Sequence, residues 1–151
     1  MTWTPHITVA TVIERHGRYL MVYERVETGR EVYNQPAGHV EAGETLIAAA
    51  IRETREETAW EVEIQSLIGV YVYTPPEAGT MTYYRFCFAA RALHELDQPL
   101  DAGILRTEWL SYADIAAATQ LRSPMVQRCI DDHRAGRRHP LDLLCDPVVI
   151  V

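Results

Sequence analysis

The amino-acid sequence predicts a mixed α/β fold in which a β-sheet is flanked by two substantial helices. Three observations carry that expectation. Runs rich in β-branched and aromatic residues recur in both halves of the chain, as at Ile7–Ile13, Leu67–Tyr73 and Met81–Arg91, the composition that suits strands. From Thr45 to Thr58 the apolar residues instead follow helical spacing. Ile47, Ala50, Ile51, Thr54 and Thr58 fall on one stripe at ~100° per residue. A second helix begins at Ser123-Pro124, an N-cap residue followed by a proline in the first turn. A chain of 151 residues suits one compact domain better than two, so a single domain over 1–151 is expected.

Taken in order, Ile7–Ile13 reads as a buried strand. His16-Gly17 turns the chain, and Tyr19–Tyr23 returns as the other arm of a hairpin. Glu24–Glu31 is a polar loop carrying Arg25 and Arg30, either solvated charges or phosphate contacts. Val32–Pro36 runs extended, because the residue before a proline is pushed away from helical angles. Gly38 and Gly43 then permit a tight loop whose backbone approaches a ligand. His39, beside it, either touches that ligand or packs the loop.

After the first helix, Glu61–Ile64 alternates and Leu67–Tyr73 forms a strand. Residues 74–79 are a loop by composition, and Met81–Arg91 is the next strand. Tyr71, Tyr73, Tyr83 and Tyr84 cluster across this second hairpin. Such rings normally pack a sheet; the functional alternative is that one or two stack on a substrate ring while Arg85 reaches phosphate. His94–Gly103 is a polar connection, Leu105–Leu110 a last strand, and Asp114–Thr119 a short helix. The helix from Ser123 ends near Ala135, before Gly136. Leu141, Leu143, Leu144 and Val148–Val151 form an apolar tail expected to fold back on the domain.

Composition narrows the function. A net charge of −7 argues against nucleic-acid binding, which needs a basic patch. All 14 basic residues are arginine, so Schiff-base catalysis and a P-loop lysine are excluded. Cys87, Cys129 and Cys145 show neither metal-site spacing nor a disulfide framework; buried thiols in a cytoplasmic protein are expected. No apolar run approaches the ~20 residues that span a bilayer, and the N-terminus lacks the basic and small-residue marks of a signal peptide. Nothing sets an oligomeric state, and a monomer is the default.

The stretch Gly38–Trp60 organises the rest. Glu41, Glu44, Glu53, Glu56 and Glu57 face only Arg52 and Arg55 within it. Glu53, Glu56 and Glu57 share one helix face through i,i+3 and i,i+4 steps, and like charges so close repel. Either the face is solvated and partly neutralised by the two arginines, or a divalent cation sits there. The spacing favours the cation. Gly38, then Glu44, then Arg52-Glu53, then Glu56-Glu57 resembles the signature of the Nudix hydrolases, G-x5-E-x7-R-E-U-x-E-E-x-G-U, where U is a bulky apolar residue.

Two positions depart from it. Thr54 stands where an apolar residue is usual, and Ala59 where glycine is usual. The glycine supplies a left-handed helix end, so Ala59 either accepts strain of roughly 1 kcal/mol or the helix ends differently.

The resemblance implies a Nudix-type α/β/α sandwich with a mixed β-sheet, and hydrolysis of a small-molecule diphosphate with Mg²⁺, Mn²⁺ being a possible substitute. It implies Glu53, Glu56 and Glu57 as metal carboxylates, with the Gly38 carbonyl as a further ligand. Glu53 is either a ligand or the base that takes the water's proton. Arg52 is expected to orient a neighbouring glutamate, and Glu44 to support the metal or make an ion pair. Arg25, Arg85 and His39 are the candidate substrate contacts, and Glu108 or Asp101 the acid outside the motif. PHITVATV, YNQPAGHVEAGETL and LRSPMVQ also resemble the NudJ-type phosphatases. That implies phosphate release from nucleoside tri- and diphosphates and from thiamine-type pyrophosphates. The alternatives are an ADP-ribose or NADH pyrophosphatase and a non-catalytic nucleotide sensor.

Overall fold

A computed structural model describes residues 2–77 and 79–145. The chain forms β1 (Thr4–Arg15), β2 (Arg18–Arg25), β3 (Glu31–Asn34), β4 (Ala37–His39), α1 (Leu46–Thr58), β5 (Trp60–Tyr73), β6 (Met81–Glu95), β7 (Ile104–Ser111), α2 (Tyr112–Ala117), α3 (Pro124–Arg134) and a 3-10 turn at Leu141–Leu143. Strand order is β3-β2-β1-β6-β5, with β4 paired to β1 and β7 to β2. The β1–β6 pair is parallel and the others antiparallel, so the sheet is mixed as expected.

One apolar layer lies on each side of this sheet. Val9, Ile13, Leu67, Phe88 and Ala90 pack with Ala49 and Ala50 of α1. Ala10, Val12, Cys87 and Ala89 pack with Val126, Cys129 and Ile130 of α3, joined by Ile115 of α2. Consecutive strand residues face opposite ways, which is how Val9 and Ala10 serve different layers. The result is the α/β/α sandwich.

The caps follow the sequence closely. The Thr45 side chain accepts from the Ala48 amide and opens α1. Ser123 caps α3 with Pro124 in its first turn, and Gly136 follows its end at φ 82°. Thr54 is a compensated departure from the motif: its buried hydroxyl pairs with Thr11 of β1 at 2.8 Å and donates to the Ala50 carbonyl at 2.8 Å. Ala59 takes the left-handed conformation, φ 59° and ψ 25°, with its amide donating to the Arg55 carbonyl. The strained alternative is the one adopted.

Several expectations need correction. Glu24 and Arg25 belong to β2 and Glu31 to β3, so the loop between them is shorter than its polarity suggests. Glu61–Ile64 and Leu67–Tyr73 are one strand, bent by register shifts opposite β6. Residues 37–39 form a short strand on β1 rather than a free loop. Leu141 and Leu144 pack against the α1-side core, but Leu143 is exposed. Val148–Val151 lie outside the described residues. Cys87 and Cys129 are buried, whereas Cys145 is exposed.

Candidate active site

The site is assembled where β4 meets the solvent-facing side of α1. Gly38 is there because of contact, not because of turning: a Cβ on it would lie 2.1 Å from the Glu53 carboxyl carbon and 2.3 Å from both its oxygens. Only a bare Cα lets β4 run against that carboxylate.

Arg52 organises the helix face. Its Nε and Nη2 grip Glu44 at 2.9 and 2.6 Å, and Nη1 donates to Glu53 at 2.9 Å and to Glu56 at 3.2 Å. Nη2 also donates to the His39 carbonyl at 3.0 Å, tying α1 to β4. Such charge-assisted, forked contacts fix geometry as well as charge. Glu44 in turn accepts from the Glu41 amide at 2.9 Å, which makes it a brace for Arg52 and for the loop. Hydrogen bonding to Arg52 holds the Glu44 carboxyl below the usual carboxylate range.

The other acids feel the opposite pressure. Burial raises Glu53, although Arg52 opposes the shift. Glu57 is the most buried: its Oε1 accepts from the Ala37 amide at 2.8 Å. Burial pushes it up to about 9, and the charges of Glu24, Glu53 and Asp101 add to the effect. Arg52 offsets only part of the repulsion within this concentration of acids. Among the described residues, Glu53, Glu56 and Asp101 bring one carboxylate oxygen each within 4.8 Å of one another. Asp101 is delivered by the loop after β6, where its amide donates to the Glu56 carbonyl at 2.9 Å. An all-oxygen donor set beside a buried carboxylate fits a hard divalent ion.

The remaining candidates are dispersed. Glu108 accepts from the Tyr33 hydroxyl at 2.8 Å and from Arg106, outside the acidic group, so Asp101 is the acid that joins it. Arg25 is an exposed end of β2, paired with Glu31 at 2.8 Å; its amide donates to the Gly103 carbonyl, beside the Asp101 loop. Arg85 is only 4% exposed. Its guanidinium donates to Gln35 at 2.9 Å and Asn34 at 3.2 Å, bracing the segment that leads into β4. That places it as a support for the strand rather than as an open phosphate contact. His39 projects from β4 and pairs with His6 at 2.8 Å between Nε2 and Nδ1.

Among the tyrosines, Tyr71 donates to Asp132 at 2.7 Å and Tyr84 meets Trp3 edge-on. Glu24, whose charge helps raise Glu57, accepts from Arg122 at 2.7 Å and from Asn34 at 3.5 Å, and the sequence does not single it out. It lies far from the motif in a strand with no pattern linking it to α1.

A NUDIX domain profile matches residues 3–129. The chain is 39% identical to the phosphatase NudJ of Escherichia coli (strain K12) over 144 residues, 94% of this chain and 92% of that protein. The same figures hold for the phosphatase NudJ of Shigella flexneri. A solved Nudix hydrolase from Nitrosomonas europaea superposes with a TM-score of 0.92 at 42% identity, covering 95% of this chain and 98% of that one. With the motif carboxylates gathered on α1 against β4, the chain belongs to the Nudix hydrolases and is an enzyme of phosphoric anhydride bonds in small-molecule diphosphates.

Proposed function

We propose that this enzyme is a Mg²⁺-dependent phosphatase that releases phosphate from nucleoside tri- and diphosphates and from thiamine-type pyrophosphates. The observation that carries the reading is the carboxylate group Glu53, Glu56 and Asp101, backed by buried Glu57. Glu53, Glu56 and Glu57, with the Gly38 carbonyl and Asp101, would hold the ion. An ion held there would supply charge neutralisation of the diphosphate and a lowered pKa for the attacking water, Mg²⁺ or Mn²⁺ being suited to both. The chain's own part is positioning. Arg52 holds Glu53 and Glu56 at fixed angles, Glu44 holds Arg52, and Arg25 stands beside the Asp101 loop as a phosphate contact. Glu53 is either a ligand or the acceptor of the water's proton. Mn²⁺ affinity of Glu53→Gln separates the two, because a base can be lost with metal affinity intact.

The relatives' name as phosphatases supports phosphate, rather than a nucleoside monophosphate, as the released product. No helix among the described residues is long and apolar enough to cross a membrane. Free cysteines suit a reducing compartment, and we place the enzyme in the cytoplasm, as a monomer without nucleic-acid partners.

The test is phosphate release from a panel of nucleoside tri- and diphosphates, thiamine diphosphate and ADP-ribose, with Mg²⁺, with Mn²⁺ and with EDTA. Phosphate from the first three classes, abolished by EDTA, is the expected result. AMP from ADP-ribose as the dominant product would replace the phosphatase reading with a dinucleotide-type pyrophosphatase. Turnover of none of them would point to a sensor.

A further inference from the structure

β1 has β6 along one edge, so β4 and β2 share the other: Thr8–Ala10 pair with β4, and Glu14 and Arg15 pair with β2. Carried on, the β1–β2 register sets Glu24 level with Val9, the residue paired with Gly38. Glu24 thus stands across from β4 at the height of the acidic group, and its charge adds to that of Glu53 and Asp101 on buried Glu57.

Arg122 is delivered to the same place. Its amide donates to the Tyr33 carbonyl at 2.8 Å, and the Tyr33 amide donates to the Gln120 carbonyl at 2.8 Å. Residues 120–122 are thereby fixed to β3 just before α3 begins. Arg122 Nη1 donates to Glu24 Oε1 at 2.7 Å, the oxygen that Asn34 also contacts at 3.5 Å. Its charge is felt by His39, the residue after Gly38 on β4. Among the described residues this is the guanidinium's one hydrogen bond, and the Arg122 side chain is 42% exposed against 12% for Glu24. A guanidinium carries five N–H donors in a fixed fork, so most of its capacity remains open.

The other arginines close to the acids are placed differently. Arg52 is held by Glu44, Glu53 and Glu56, and Arg85 is buried against Asn34 and Gln35. A half-exposed ion pair contributes little to stability, whereas forked arginine–phosphate contacts are short and strong. Arg122 can therefore leave Glu24 for a phosphate.

We propose that Arg122 is a substrate-binding residue that exchanges Glu24 for a phosphate oxygen of the substrate, Glu24 being the partner that holds the guanidinium in position until then. The proposal rests on the diphosphate site described above and adds a phosphate contact to it. A structural ion pair suffers in the same way from the loss of either partner. In an exchange the two partners act on the substrate in opposite directions, because Glu24 competes with it for Arg122.

The test is calorimetric binding of the non-hydrolysable α,β-methylene-ADP, with saturating Mg²⁺, to wild type, Arg122→Gln, Arg122→Lys and Glu24→Gln. Arg122→Gln should weaken the probe roughly ten- to a hundredfold, the range for one hydrogen bond to a charged group, and Arg122→Lys should recover part of the loss. Glu24→Gln should tighten it, by up to roughly fivefold, the scale of a surface ion pair. KM for a nucleoside diphosphate should follow the same order while kcat stays within about threefold of wild type, as for a contact made equally in ground and transition states. Arg122→Gln and Glu24→Gln weakening the probe in parallel would reduce the contact to a structural ion pair and overturn the exchange. Unchanged binding by Arg122→Gln, or no binding by wild type, overturns it as well. Opposite shifts in probe binding without phosphate release from any substrate would leave the exchange standing and remove the phosphatase reading instead.

Discussion

The Glu53 carboxylate occupies the space that a side chain on residue 38 would need, 2.1 Å from an ideal Cβ. Glycine at this position is therefore a condition for bringing β4 and α1 together at the acidic group. Gly38→Ala should displace Glu53 and lower kcat/KM by roughly a hundredfold, the scale expected for a misplacement of about 1 Å in a catalytic group. The far-ultraviolet dichroism should be unchanged, since the strand itself tolerates alanine. Activity within twofold of wild type would show that Glu53 can move without consequence.

Among the described residues, Arg52 is the only cation that touches Glu44, Glu53 and Glu56 together, and those contacts hold its guanidinium even more firmly protonated than usual. Lysine offers a point charge in place of a planar fork. Arg52→Lys should weaken Mn²⁺ affinity and kcat/KM by roughly 10- to 100-fold, the cost typical of losing a group that orients metal ligands. Glu44→Gln should shift both in the same direction by less, because one of the two carboxylate oxygens remains an acceptor. Electron paramagnetic resonance of bound Mn²⁺ beside steady-state kinetics measures the two together. An Arg52→Lys enzyme with unchanged metal affinity would reduce Arg52 to a structural ion pair.

The left-handed Ala59 tests the one backbone departure from the motif. Glycine would relieve strain of roughly 1 kcal/mol, offset in part by loss of a buried methyl. The Ala59 side chain is buried, so the net gain is smaller than the strain itself. Ala59→Gly should raise the urea midpoint by less than about 1 kcal/mol equivalent, and a β-branched residue such as valine should lower it. A lower midpoint for the glycine variant would mean that the methyl contacts outweigh the strain.

Legibility in the sequence tracked locality. The span and apolar stripe of α1 were readable because both are set within 14 consecutive residues, Thr45 to Thr58, although Thr45 is the cap and the helix itself begins at Leu46. Ser123-Pro124 marked α3 for the same reason. What depended on distant segments was not readable. Arg85 has the charge and neighbourhood of a phosphate contact in the linear sequence, yet Asn34 and Gln35, some fifty residues earlier, claim it inside the fold. Asp101 and Glu108 were indistinguishable as acids near the end of the sheet. One backbone hydrogen bond to Glu56 and one tyrosine hydroxyl on Glu108 separate them.

His133 gives stability a pH dependence of its own. Burial, aided by Arg138 and Arg134, depresses its imidazole to about 4 from an ordinary 6.5, and its Nδ1 is buried without a partner. The fold thus favours neutral His133. Its contribution is complete above about pH 6.5 and is lost as pH falls toward 4, because the unfolded chain binds the proton first. Urea midpoints at pH 7 and pH 4.5 should fall further for wild type than for His133→Leu. Equal falls in the two proteins would assign acid sensitivity to the carboxylates alone.

Asp101 and Glu108 provide the sharpest contrast between an acid inside the group and one outside it. Asp101 lies with Glu53 and Glu56, whereas Glu108 is occupied by Tyr33 and Arg106. Asp101→Asn keeps the backbone bond to Glu56 and removes only a charge. It should therefore raise the Mg²⁺ concentration needed for half-maximal activity, by roughly tenfold if the carboxylate contributes about 1.4 kcal/mol to holding the ion. Glu108→Gln should leave that concentration unchanged and act only on stability, through the Tyr33 and Arg106 contacts. Mg²⁺ titration of phosphate release for both variants decides the matter. The reverse ranking, with Glu108→Gln needing more metal than Asp101→Asn, would move the fourth acid of the site from the loop after β6 to β7.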